Sequence, residues 1–305
     1  MTELEQLLLS VIQDAFPLEE RPYQVLAEKL ASDEQSVFAA VENLRQSGII
    51  RRIGGVYDSK ALGFISRLCA GNVPESALDA FAAAVNKIPA ITHNYVRSHE
   101  YNVWFTVIAQ SEAETQKIVD DVCAKTELHN VHILSATKKF KINTVMGGSA
   151  APVIRKNTCV RSKPMAGADC ARIRIACDDI PHTLTPFKDW GVSCDELRED
   201  LALKRMRRFG AILRHQEAGF AYNAMVCFNA ANGGDILAQK PYISHCYERP
   251  AFEGFPYTLY AMMHAQSTEE LDRQIKEAAE SIGNPDYVVL HSVRELKKTS
   301  FRFFA

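Results

Sequence analysis

The sequence predicts an α+β protein made by tandem duplication of one unit, a winged helix-turn-helix followed by a ferredoxin-like βαββαβ domain. Three observations lead there. The same landmarks return about 156 residues later. Helical and strand periodicities succeed one another in βαββαβ order. A stretch rich in small, polar and proline residues separates two similar halves. RRIGGVYDSKALGF at 51–64 matches RRFGAILRHQEAGF at 207–220, and the AQS at 109–111 returns at 265–267. The domains so read are residues 1–60 and 61–146 in the first half, a linker at 147–171, then 172–216 and 217–305 in the second.

Each element has its own signal. Leucine and isoleucine recur at helical spacing over residues 2–15, until Pro17 stops the run. Residues 23–31 give a short second helix. A third follows Ser32 and Asp33, with Ser32 as the expected cap, and its stripe of Val37, Val41 and Leu44 runs to Gly48. IIRRIGGVYD then supplies two short β-rich runs around Gly54 and Gly55, the expected wing. Beyond it the reading is strand 64–70, helix 75–86, strands 91–97 and 102–109, helix 112–126 and strand 131–137. Lys138, Lys139 and Lys141, like Lys297 and Lys298, follow the last strand of each half and are expected to form a solvated edge that blunts pairing. The second half restarts with a poorly marked helix in ARIRIACDDIPHTLTPF. Two diverged copies in one chain imply a fused pseudo-dimer whose sheets pack on each other.

Composition narrows the function classes. A hydrophobic fraction of 47% with 24% charged residues is enough for ordinary globular cores. The net charge of −2 gives no global pull toward nucleic acid or acidic membranes. The N-terminal stretch is acidic and amphipathic, and no apolar run reaches membrane-spanning length, so a cytoplasmic protein without membrane contact is expected. The eight cysteines are scattered without a CxxC pair, which favours reduced thiols. Cys159, Cys170 and Cys177 gather only loosely near the linker, and no dedicated metal site is expected.

The chemistry concentrates in one repeated stretch. ITHNYVRSHEYNVWFT at 91–106 is echoed by ISHCYERPAFEGFPYTLY at 243–260, so His93, Tyr95 and Arg97 answer to His245, Tyr247 and Arg249. In a strand, residues two apart share a face. An imidazole, a phenol and a guanidinium on one face make an odd core surface but a suitable lining for a flat anionic ligand. The second copy lacks a counterpart to His99 and carries apolar Phe252 and Phe255 instead, so the first hairpin is expected to supply the principal acids while the second shapes or completes a pocket, the reverse assignment being the alternative. For the scattered His132, His182, His264 and His291 a hydrogen-bonded structural role is the default, His129 reads as a turn cap, and His215 as an exposed wing residue.

A winged helix joined to a ferredoxin-like domain resembles the Lrp/AsnC transcription regulators, which implies DNA reading and amino-acid binding. The third helix argues against DNA: its leading end carries Asp33 and Glu34, then Glu42, against Arg45 alone, and the partner helix opens SCDELRED. Gln35 or Gln216 touching a base would not offset missing phosphate contacts. The two strand motifs resemble a different branch of that fold, the siroheme decarboxylases. THNYVRSHEYNVWFT looks like the signature of one subunit and SHCYERPAFEGFPYTLYAMMHAQS like that of the other, and together the likeness spans both halves apart from the linker. It implies removal of carbon dioxide from the acetates at C12 and C18 of siroheme, giving 12,18-didecarboxysiroheme, without an organic cofactor, the iron being carried by the substrate.

The residues fit that chemistry. Arg97 and Arg249, with the pairs Arg51 and Arg52, and Arg207 and Arg208, are candidates to clamp the carboxylates that do not react, although the pairs also suit helix C-termini. His93, His99 and His245 are candidate proton donors, and Tyr95, Tyr101 and Tyr247 would orient them or relay protons. Trp104 and Tyr260 would pack near the ring. His93 or His245 is alternatively a ligand of the substrate iron. A heme-binding sensor without catalysis and a DNA-binding regulator are the competing readings. Assembly stays open between a self-sufficient chain and a homodimer.

Overall fold

The structure is a computed structural model that describes residues 1–142, 167–188, 190–214 and 222–304. The linker from 147 to 166, Cys159, His215 and Gln216 lie outside the described residues.

Helix α1 (Glu3–Ile12) opens with a capping box between Thr2 and Glu5, and α2 (Pro22–Lys29) begins with its proline where no helical donor is lost. Helix α3 (Glu34–Gln46) is capped by Asp33, not by Ser32: the aspartate accepts the Ser36 backbone N–H at 2.9 Å, its longer side chain placed one residue nearer the first turn. The expected wing takes a different form. Residues 50–57 form one continuous strand, β1 (Ile50–Tyr57), because its partner comes from the other half: β7 (Met206–Leu213) pairs with it antiparallel, with Gly54 opposite Gly210. Both glycines are required by close approach. A Cβ on Gly54 would sit 2.3 Å from the Asp178 carbonyl oxygen, and one on Gly210 2.5 Å from that of Ile12.

The second half supplies α6 (Gly167–Ala176), which begins before residue 172, and α7 (Cys194–Ala202). Between them the described residues contain no helix, since Pro181 and Pro186 interrupt the stretch that follows α6. The helices of both halves share one core around Leu8, Tyr23, Val41, Ile173, Leu197 and Phe209. The three helices of the first half and the two of the second thus form a single layer, and the second winged helix-turn-helix expected at 172–216 is reduced to α6, α7 and β7.

The ferredoxin-like pattern is present twice. The first half has β2 (Ile65–Asn72), α4 (Leu78–Val85), β3 (Ile91–Arg97), β4 (Val103–Ala109), α5 (Glu112–Lys125) and β5 (His129–Leu134). After β5 comes a tail strand, β6 (Lys138–Ile142). The second half has β8 (Tyr222–Phe228), α8 (Gly234–Leu237), β9 (Ile243–Glu248), β10 (Leu259–Ala265), α9 (Thr268–Ser281) and the long β11 (Tyr287–Lys298). The repeated serines Ser111 and Ser267 cap α5 and α9. Among the described residues nine strands join in the order β5-β2-β4-β3-β11-β8-β10-β9-β6.

That order corrects the expectation of solvated lysine edges for Lys141, Lys297 and Lys298, while Lys138 and Lys139 are exposed on the outermost strand, β6. Strand β6 crosses to pair with β9 of the second half, and the far end of β11 crosses to pair with β3 of the first. Lys141 is buried and gives its ammonium to the Lys240 carbonyl at 2.6 Å, while Lys297 reaches the Ile88 carbonyl at 2.7 Å. A long apolar stem lets each lysine lie within a sheet while its head finds an oxygen. Between the sheets of the two halves sits an aromatic cluster of Tyr101, Trp104, Phe255 and Tyr260 with Leu134, Met225 and Leu290.

Candidate active site

His93, Tyr95 and Arg97 alternate along β3, and His245, Tyr247 and Arg249 do the same along β9 and just beyond it. Strand register gives the side they take. Tyr95 lies opposite Trp104 and Tyr247 opposite Tyr260, and both of those partners belong to the cluster between the sheets. The two rows therefore face inward, away from the layers of α4, α5 and α9. Tyr95 and Tyr247 are densely surrounded, so burial pushes both phenols up, yet each keeps accessible surface. Both side chains are thus crowded while still within reach of a ligand.

The row arginines lie deepest. Arg97 is 5% exposed; its Nη1 donates to the Leu290 carbonyl at 2.9 Å and to Ser292 Oγ at 3.2 Å, with its guanidinium 5.2 Å from the centre of the Tyr95 ring. Arg249 is 9% exposed, donates to the Leu134 carbonyl, and lies 5.1 Å from the Tyr247 ring and 5.8 Å from that of Tyr260. Burial pulls both guanidinium pKa values down, that of Arg97 to about 10. Both Nε atoms are buried without an acceptor among the described residues. A buried cation with an unused donor is costly unless an anion arrives.

Of the four wing arginines the structure brings two to the rows. Arg51, bonded to Ser300 Oγ at 2.7 Å, stands within electrostatic reach of Tyr95 and Glu295, and Arg207 within reach of Tyr247 and Lys139. Arg52 and Arg208 turn the other way, because neighbours in a strand point to opposite sides. Arg52 donates to the Gly55 carbonyl at 3.3 Å, and Arg208 to the carbonyls of Gln13 and, at 3.1 Å, Ala211. Both serve the helical layer.

The histidines separate likewise. His93 Nδ1 lies 3.0 Å from Thr92 Oγ1, and His245 Nδ1 lies 2.9 Å from Ser244 Oγ, which is itself 2.9 Å from His264 Nε2. The second row is thus backed by an imidazole, hydroxyl, imidazole chain. In the first half Ile108 holds the position that corresponds to His264. His99 follows the first row, on the hairpin between β3 and β4. Its Nδ1 accepts the Tyr101 N–H at 3.1 Å, which puts the proton of the neutral ring on Nε2, and burial pulls its pKa below the ordinary value. His99 lies 5.4 Å from the ring centre of Phe255.

Tyr101 and Trp104 belong to this aromatic plug. The Tyr101 hydroxyl donates to the Glu253 carbonyl at 2.9 Å, and Trp104 Nε1 to the Tyr101 carbonyl at 2.7 Å. Phe255, from the loop after β9, is fully buried against Trp104 and Tyr260, and His132 stacks on Phe252 at 4.2 Å. The residues that sequence reasoning missed are Ser244, His264, Lys139 and Glu295. The parallel ITH and ISH triplets held a signal for Ser244; the others emerge only from strand pairing.

The outer surface of α3 bears on the DNA reading. Its exposed residues are Gln35, Ser36, Ala39, Asn43 and Gln46, none of them basic. Arg45 is paired with Asp179, and His182 of the second half stacks on Phe38 at 4.0 Å and meets Glu42 at 2.8 Å. Among the described residues no group of His, Cys, Asp and Glu could hold a metal ion, and no helix is long and apolar enough to cross a membrane.

Residues 61–141 and 217–297 match the AsnC-like ligand binding domain, and residues 5–51 match the siroheme decarboxylase NirDL-like HTH domain. A siroheme decarboxylase of Hydrogenobacter thermophilus is 31% identical over 98% of this chain and 94% of its own. A crystal structure of the siroheme decarboxylase NirDL superposes with a TM-score of 0.73 at 28% identity, covering 99% of this chain and 95% of that one. A second NirDL structure, in complex with an iron-uroporphyrin III analogue, gives 0.71 at 26% identity with the same coverage.

Proposed function

The chain belongs to the siroheme decarboxylases, and from that premise we propose that it acts in the cytoplasm to remove carbon dioxide from the C12 and C18 acetates of siroheme, giving 12,18-didecarboxysiroheme. The observation that carries this reading is the pair of inward rows, each with a buried guanidinium whose Nε awaits an acceptor. A flat macrocycle rimmed with carboxylates needs fixed cations at its edge and aromatic surface near its face. Arg249 with Arg207 supply the cations in the second row, Arg97 with Arg51 hold the corresponding places in the first, and the plug around Trp104 and Tyr260 supplies the surface.

The reacting acetate must not be gripped as firmly as its neighbours, since a tight ion pair would stabilise the ground state and raise the barrier. When its carbon–carbon bond breaks, the electron pair remains on the methylene carbon and spreads into the macrocycle. One proton then converts that carbon to a methyl group, so each carbon dioxide released consumes one proton. His245 delivers it, and Ser244 and His264 behind its Nδ1 form the route that resupplies it. His93 is its counterpart in the first row. The iron belongs to the substrate, and no organic cofactor is invoked.

Anaerobic incubation of the purified chain with siroheme, followed by mass, tests the proposal. Loss of two carbon dioxide units is expected. A spectral shift with unchanged mass would make the protein a heme-type sensor instead.

A further inference from the structure

The two rows are not chemically equal, and the difference lies on the exchanged tail strands. In the β6–β9 ladder Lys139 faces Tyr247 and Ile142 faces His245; in the β11–β3 ladder Glu295 faces Tyr95 and Lys298 faces His93. Both ladders slip at the same place, after 139 and after 295, so the positions correspond one to one. At the centre of one row stands a lysine, and at the centre of the other a glutamate.

In the first-half row the phenol and the tail-strand charges meet each other. The Tyr95 phenol is hydrogen-bonded to Glu295, and Lys298 Nζ lies 3.8 Å from the same carboxylate. In the second-half row no carboxylate is hydrogen-bonded to the Tyr247 hydroxyl among the described residues; Arg249 and Arg207 stand near it, and both also lie within electrostatic reach of Lys139, its partner across the ladder. The acid nearby is Asp58, whose Oδ1 is engaged by the backbone N–H groups of Lys60 and Ala61 at 2.9 and 3.1 Å. Counted by sign the two surroundings are alike: Arg51, Arg97, Arg214 and Lys298 against Glu295, and Arg207, Arg249, Lys60 and Lys139 against Asp58. What differs is placement, because only the first row has its carboxylate at the phenol. Lys139 is exposed, yet its ammonium is crowded enough that burial pulls its pKa down, as expected of a cation lining a recess.

We propose that Lys139, carried into the second-half row by the exchanged strand, is a carboxylate-binding residue that orients the polyanionic ring there, and that Glu295 keeps a second ring out of the first-half row. This rests on the reading of the chain as acting on an iron tetrapyrrole. A carboxylate of the ring gains a charge-assisted hydrogen bond at Lys139 and meets like charge at Glu295.

The test titrates the full chain with iron uroporphyrin, which carries the same kind of rim, and reads affinity and stoichiometry from absorbance at two salt concentrations. The wild type is expected to take one ring. Lys139→Glu should weaken binding by about tenfold or more, Lys139→Met should fall between, and Lys139→Arg, which keeps the cation, should restore most of the affinity. Glu295→Lys should raise the stoichiometry to two rings. Unchanged affinity in Lys139→Glu, or two rings on the wild type, would overturn the inference. Product mass with siroheme separates the two claims. A wild type that decarboxylates while Lys139→Glu binds normally sinks this inference alone; a wild type that binds through Lys139 but leaves siroheme intact sinks the catalytic reading alone.

Discussion

At the scale of single residues, the chain from His245 through Ser244 to His264 gives the second row a proton route, and in the first half Ile108 stands in the place of His264. His245→Ala is expected to slow turnover by about 10²- to 10³-fold while changing ring affinity little, and Ser244→Ala or His264→Ala to slow it about tenfold; kcat set against ring Kd checks both. Two other imidazoles contribute to the pH dependence of stability. His99 and His182 are held below the ordinary value of 6.5, mainly by burial, so the unfolded chain takes up these protons at a higher pH than the folded one. Stability is therefore whole above that value and falls as pH drops through the window beneath it. Melting temperatures between about pH 7.5 and 5.5 should show the decline, and His99→Gln with His182→Gln should flatten it. The rows themselves were legible in the sequence because a period of two is written there directly. Lys139 and Glu295 were not, since their roles depend on which strand lies opposite.

At the scale of elements, the β9–β10 loop closes one end of the space between the sheets. Phe255 is 0% exposed and packs on His99, Trp104, Tyr257 and Tyr260. Phe255→Ala should cost about 3–5 kcal/mol, measurable by chemical denaturation, because rings drawn from several strands cannot all collapse into the cavity. The wing shows where sequence reading stops. A β-rich run around Gly54 and Gly55 announces a strand but not its partner, and here the partner is the equivalent run of the other copy. The lysine-rich tails gave the same ambiguity: KKFKI reads as a solvated edge until Lys141 and Lys297 are seen to end on carbonyl oxygens inside the fold.

At the scale of the whole molecule, three strand pairings among the described residues join the halves. Strands β1 and β7 form the ribbon of the helical layer, β6 pairs with β9, and the end of β11 pairs with β3. Tyr57 of the first half also donates to the buried Asp200 of the second at 2.7 Å, beside Arg172. Residues 1–142 or 167–305 produced alone should expose unpaired strands and fail to give a soluble monomer. Produced together they should assemble as a one-to-one complex, seen by light scattering; a stable, well-folded isolated half would contradict the exchange. Reciprocal tail strands also bear on inheritance. A recombination event between codons 142 and 167 that imported a foreign second copy would change the strand beside both rows at once, so neither copy is free to drift without its sibling.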